Sequence, residues 1–93
     1  MSEKQRSSKT RTFAITVTTT PQKAFTNNPS RKSAFIINYG SYTAYLLSAQ
    51  NLPYTEGTPI EAGDWIEDDS STGELWLVTA SNSSDCRCKE DSD

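Results

Sequence analysis

Two cysteines one residue apart, Cys86-Arg87-Cys88, are the side chains best suited to chemistry in this chain of 93 residues. As thiolates they would begin a zinc or copper site, but a structural zinc takes four ligands. The chain has no other cysteine and no histidine, so a carboxylate or a second subunit would have to complete the set. A disulfide between the two is poorly placed, because side chains at i and i+2 of a strand stand too far apart for an unstrained bridge. Cysteine also packs as a small hydrophobe. The favoured reading is a pair of buried, inert thiols, with Cys86 and Cys88 as metal ligands or as an inter-subunit bridge the lesser alternative.

The acids Glu61, Asp64, Glu67, Asp68, Asp69 and Glu74 form a second cluster. Paired carboxylates can do acid/base work on a glycoside, and a cage of oxygens can hold calcium. Asp68-Asp69-Ser70-Ser71-Thr72-Gly73 lacks the spacing and closing Glu of a calcium loop, so it reads as a solvated turn. The aromatics Tyr39, Tyr42, Tyr45, Tyr54, Trp65 and Trp76 could stack on sugars or single-stranded bases, or pack in a core or interface, which is the favoured reading. Without histidine no Ser–His or Cys–His pair can be built. Gly40, Gly57, Gly63 and Gly73 stand apart, so no phosphate-cradling loop forms. The expectation is a protein that is not an enzyme and has no cofactor.

Charge is unevenly spread. Residues 1–32 carry seven cations (Lys4, Arg6, Lys9, Arg11, Lys23, Arg31 and Lys32) against one acid, Glu3, a balance of +6. Residues 33–93 carry two cations and eleven acids, a balance of −9, which together give the net −3. Such asymmetry fits either a basic arm laid on an acidic partner surface or a solvated tail beside a body kept soluble by its acids. Lys4, Arg6, Lys9, Arg11, Arg31 and Lys32 are the residues expected to make the partner contact. The acidic remainder argues against nucleic acid as the partner. Hydrophobic content is 33%, low against a usual value of about 45–50%, and suggests a thin core or one completed by a partner.

The elements that must position these groups read as short strands. Arg11 to Thr20 alternates, with Phe13, Ile15 and Val17 on one side and threonines and Ala14 on the other, the period of a half-buried strand. Pro21 ends it. Gln22 to Lys32 is polar but for Ala24 and Phe25, the latter a candidate plug for one end of the core. Ser33–Tyr39 and Thr43–Leu47 alternate around Asn38-Tyr39-Gly40-Ser41, which predicts a hairpin whose turn uses Asn38 and Gly40 in left-handed geometry. Ser48 to Ile60 reads as a long loop. Further short strands follow at Ile60, at Trp65–Glu67, at Glu74–Ala80 and over Ser84–Glu90. The prediction is an all-β fold, a small antiparallel sandwich or barrel of about six to seven strands. Residues 1–11 form a basic arm, 12–90 the sandwich and 91–93 an acidic tail. The start of the chain lacks the apolar segment of a signal peptide, and no apolar run approaches the ~20 residues of a membrane span, so synthesis in a cytoplasm with no membrane contact is expected.

The order of features resembles that of small all-β proteins encoded among phage structural genes. It runs Thr20-Pro21, Asn28-Pro29-Ser30-Arg31-Lys32, Phe35-Ile36-Ile37-Asn38 and Thr43-Ala44-Tyr45-Leu46. It continues through Thr58-Pro59-Ile60-Glu61-Ala62-Gly63-Asp64 and Gly73-Glu74-Leu75-Trp76-Leu77-Val78 to a closing alternating strand. The resemblance spans roughly residues 13–90 and implies a β-sandwich accessory or decoration protein on a virion's capsid surface. The major capsid protein or another virion protein would be its partner, and a homo-oligomer, a trimer favoured, its form. In such relatives the last strand carries aliphatic residues where this chain has Cys86 and Cys88. The alternatives are a receptor- or carbohydrate-binding module of a tail or fibre, and a small cysteine-based metal-binding domain.

Overall fold

The computed structural model describes residues 9–93. Eight strands follow one another: β1 (Lys9–Val17), β2 (Gln22–Phe25), β3 (Arg31–Asn38), β4 (Ala44–Leu47), β5 (Thr58–Ile60), β6 (Trp65–Asp68), β7 (Leu75–Thr79) and β8 (Ser84–Ser92). A one-turn 3-10 segment at Tyr54–Glu56 interrupts the β4–β5 connection. The strands form two four-stranded sheets, ordered β1-β8-β3-β6 and β2-β7-β4-β5. Every neighbouring pair is antiparallel. The all-β sandwich expected from alternation is what forms, with eight strands rather than six or seven. Every connection except β4–β5 passes from one sheet to the other, the winding of a jelly roll built from two Greek keys.

That winding corrects the hairpin. β3 and β4 alternate as expected but lie in opposite sheets, so residues 39–43 form a corner between layers. Alternation reports that a strand is half-buried and says nothing of its partner. The glycine at the corner also acts differently from expectation. Among the described residues only Asn82 and Gly63 have positive φ. Gly40 is needed for space: a Cβ there would lie 1.9 Å from Ser84 Oγ and 2.7 Å from the Asp85 nitrogen.

Both ends of the expected sandwich extend further. Residues 9–11, placed in the basic arm, are part of β1, where Lys9, Arg11 and Thr10 pair with Ser92, Glu90 and Asp91. Asp91 and Ser92, placed in the tail, are the far end of β8. Polar side chains obscured both segments, because cross-strand ion pairs there take the place of apolar contacts. β2 was hidden for a similar reason. Only its Ala24 and Phe25 are buried, and four residues hold too little pattern to register.

The core lies between the sheets. Val17, Phe25, Ala34, Ile36, Ala44, Ile60, Leu75, Leu77, Cys86 and Cys88 belong to one buried cluster, with Phe13, Ile15, Leu46 and Ile66 packed at its margin. Phe25 is fully buried and meets Phe13 edge-on at 5.4 Å, the end plug the sequence suggested. The outer faces of the two sheets differ. On the β2-β7-β4-β5 sheet, outward-facing Leu47 is only 1% exposed, because residues 48–57 fold back across it. Tyr54 packs on Tyr45 at 5.0 Å, and a Cβ on Gly57 would lie 2.9 Å from Leu47 Cδ2. No comparable described segment covers the outer face of the β1-β8-β3-β6 sheet.

Candidate functional site

Strand register arranges that uncovered face in cross-strand rows. One row runs Ala14, Arg87, Ile37, Trp65 and the next Thr12, Lys89, Phe35, Glu67. Directly opposed side chains on one face of a sheet touch, so two cations of β8 stand between the apolar residues of β1, β3 and β6. Phe35 and Trp65 pack at 5.4 Å between ring centroids. Trp65 remains 56% exposed and Tyr39, where β3 ends, 63%. Arg87 lies over the Tyr39 ring at 5.2 Å and donates to Asp85 at 2.9 Å. That hydrogen bond and charge hold the guanidinium more firmly protonated than usual. Lys89 reaches Asp91 at 3.9 Å. A shallow groove lined by Ala14, Phe35, Ile37, Tyr39, Arg87 and Lys89 crosses the face. Aromatics with an arginine among them are the composition of protein-binding surfaces.

The cations expected to contact a partner are not brought together here. Lys4 and Arg6 lie outside the described residues. Lys9 is exposed on β1. Arg11 covers the Phe13 ring at 4.4 Å and donates to Glu90 at 3.1 Å. Lys32 reaches the Asp93 carboxylate at 3.2 Å. Arg31 is the clear correction: its side chain has no exposed surface. It donates to Glu90 Oε2 at 2.7 Å, to the carbonyls of Ser71 and Gly73 at 3.1 and 2.9 Å, and to Thr26 O at 2.6 Å. These four bonds tie the start of β3 to β8 and to the β2–β3 and β6–β7 loops. Arg31 therefore organises the fold and is unavailable to a partner. Burial would raise the pKa of Glu90. Hydrogen bonds from Arg31, Arg11 and Asn28 and the Arg31 charge outweigh it and leave the carboxyl below its ordinary value.

Cys86 and Cys88 are free and buried. Burial, with Asp85 adding to it, pushes the Cys86 thiol up to about 11. Burial and the neighbouring Cys86 push Cys88 up to about 12, against a smaller opposite pull from Arg11. Both stay protonated near neutral pH, when thiolate is the metal-binding form. Among the described residues no three His, Cys, Asp or Glu side chains gather as a metal site. The acids disperse likewise. Asp68 Oδ1 accepts from the backbone N–H groups of Ser70 and Ser71 and shapes the turn after β6. Glu74 meets Lys23 at 3.2 Å and accepts from the Trp76 indole N–H at 3.2 Å.

The sequence singled out the aromatics one by one. It missed that Phe35, Ile37, Tyr39 and Trp65 share one face with Arg87 and Lys89. The available signal was outward alternation of large apolar residues on β3, whose inward set is Ala34, Ile36 and Asn38.

Comparisons with protein-family models, with curated proteins and with solved structures return no match. No helix among the described residues is long and apolar enough to cross a membrane.

Proposed function

We propose that this chain is a structural binding module of a phage particle, a decoration protein held on the capsid shell with the major capsid protein as partner. The observation that carries the binding reading is the outer face of the β1-β8-β3-β6 sheet, left uncovered by the described residues, where Phe35, Ile37, Tyr39 and Trp65 surround Arg87 and Lys89. Exposed apolar groups gathered on one face, when the opposite face is covered by its own loop, mark a surface that meets another macromolecule. The virion setting draws on the order of sequence features and on the jelly-roll winding, an architecture that recurs in capsid and lectin domains. A fold alone assigns no function; the face supplies the argument for binding. Repetition on a lattice would strengthen weak single contacts, and self-association of the module, with a trimer favoured, would add to that.

The test is retention on particles. Purified particles are expected to contain the protein in fixed ratio to the shell protein. The double variant Phe35→Ala/Tyr39→Ala, still folded by circular dichroism, should be retained at least about 30-fold more weakly, the loss of one strong anchor residue. Wild-type protein missing from the particles, or a variant retained as well as wild type, would overturn the proposal. Binding to a glycan array that disappears in the same variant would replace it with the receptor-binding reading.

A further inference from the structure

The geometry points to a head-to-tail contact between copies of this chain, in which β1 of one copy adds to the β6 edge of the next. It deepens the proposed self-association, and its test uses purified protein without particles. β1 and β6 are the two edge strands of one sheet. β1 is nine residues long and pairs with β8 throughout without a register shift. It contains no proline and no bulge, two of the devices that block edge pairing, and its charged Lys9 and Arg11, a third such device, meet an acidic strand in this contact. Among the described residues, no backbone hydrogen bond other than those to β8 engages β1, and none other than those to β3 engages residues 65–68.

Directions agree. Strands alternate across β1, β8, β3 and β6, so β6 runs opposite to β1. A second copy continuing the sheet, turned about an axis along the strands, therefore offers its β1 antiparallel to β6. Charge agrees as well, since β1 carries Lys9 and Arg11 while β6 and the turn after it carry Glu67, Asp68 and Asp69.

Register then selects one pairing. Facing residues must share a side of the sheet, and a slip of one residue breaks that match. β1 turns Lys9, Arg11 and Phe13 inward and Thr10, Thr12 and Ala14 outward; β6 turns Ile66 and Asp68 inward and Trp65 and Glu67 outward. Setting Arg11 opposite Asp68 also sets Phe13 opposite Ile66, Thr12 opposite Glu67 and Ala14 opposite Trp65. A shift of two in one direction opposes Ile66 with Arg11, and in the other Asp68 with Phe13. Only the first pairing puts cation on anion and apolar on apolar. Ile66 and Leu46 line an open groove with Glu67, Asp68 and Asp69 at its rim, and Phe13, half-buried at the opposite flank, is the side chain this pairing brings to it. A contact of this kind is heterologous, and it forms a ring if its rotation closes.

The test combines sedimentation with cross-linking. The purified protein should associate, and the association should weaken as NaCl rises from about 50 mM to about 500 mM, where exposed charges are screened. Asp68→Asn, which keeps the Oδ1 acceptor of the turn, and Arg11→Gln should each weaken association by about tenfold or more. A short bis-maleimide should join a Thr12→Cys copy to a Glu67→Cys copy when the two are mixed, with neither joining to itself. The native thiols, being buried, do not compete. A monomer at every concentration up to about 1 mM, association that neither substitution weakens, or self-coupling of Thr12→Cys, the mark of a two-fold β1–β1 pairing, would each overturn the inference.

Discussion

Glu90 and its two arginines show how much of this small domain rests on a few polar side chains. Arg31 has no exposed surface and Glu90 only 7%, so the pair is removed from water, and taking away one partner strands the other's charge. Glu90→Gln should therefore cost about 3 kcal/mol of stability, read as a lower midpoint in urea unfolding. The pair also makes stability depend on acid. Glu90 titrates lower when folded than when unfolded, so its contribution is complete above the unfolded value of about 4.3 and is lost as pH falls through the folded value. Asp68 is lowered too: burial, which would raise it, is outweighed by hydrogen bonds from Ser70 and Ser71, and it adds in the same direction. The melting temperature should hold steady from pH 7 to about 5 and then fall, and Glu90→Gln should flatten that decline. The cysteines differ in kind. With thiols pushed up to about 11 and about 12, they should resist a thiol reagent at pH 8 in the native protein and react fully in denaturant. Cys86→Val and Cys88→Val should each change stability by less than about 1.5 kcal/mol, because the positions need apolar volume.

At the scale of elements, β3 is locked at each end by one buried polar side chain. Arg31 holds its start. Asn38, fully buried, holds its end with all four hydrogen-bonding positions used. Nδ2 donates to Tyr42 O and Ile60 O, both at 2.8 Å. Oδ1 accepts from the Gly40 N–H at 2.9 Å and from Ser84 Oγ at 2.7 Å. One side chain thus joins the corner, β5 and β8. Asn38→Ala would leave several buried partners unsatisfied and should cost about 3 kcal/mol or more. Gly40→Ala should also destabilise, because its Cβ would collide with the backbone of β8. Thermal melts of the two variants check both, and an Asn38→Ala protein as stable as wild type would show that the corner is held otherwise. Residue type alone marks Asn38 and Gly40 as turn formers. It does not mark Asn38 as a lock, because two of its partners lie 22 and 46 residues further along the chain.

For the whole molecule, the uneven charge noted in the sequence acquires a place. The basic segment is not simply an arm set beside an acidic body. Its last residues, Lys9 and Arg11, lie on one edge strand of a sheet whose other edge strand holds Glu67 and Asp68. The low apolar content is used unevenly as well. One sheet's outer face is covered by the chain's own 48–57 segment, while the other keeps Trp65 and Tyr39 exposed. The proposed contact between copies would use the backbone edges of β1 and β6 and the proposed shell contact the side chains of the face, with Trp65 and Ala14 at the border of the two.

Sequence alone determined the β class, the strands from Phe13, Phe35, Tyr45 and Leu75 onward, the burial of the two cysteines and the plug at Phe25. Alternation and residue type are local, and local steric and hydrophobic preferences write them directly into the chain. Tertiary structure alone decided which strands pair, that Arg31 turns inward, and that Phe35, Ile37, Tyr39 and Trp65 meet Arg87 and Lys89 on one face. Each of these depends on winding, in which strands adjacent in sequence are sent to opposite sheets and strands far apart are joined. The alternation of a strand holds no record of the neighbour it finds.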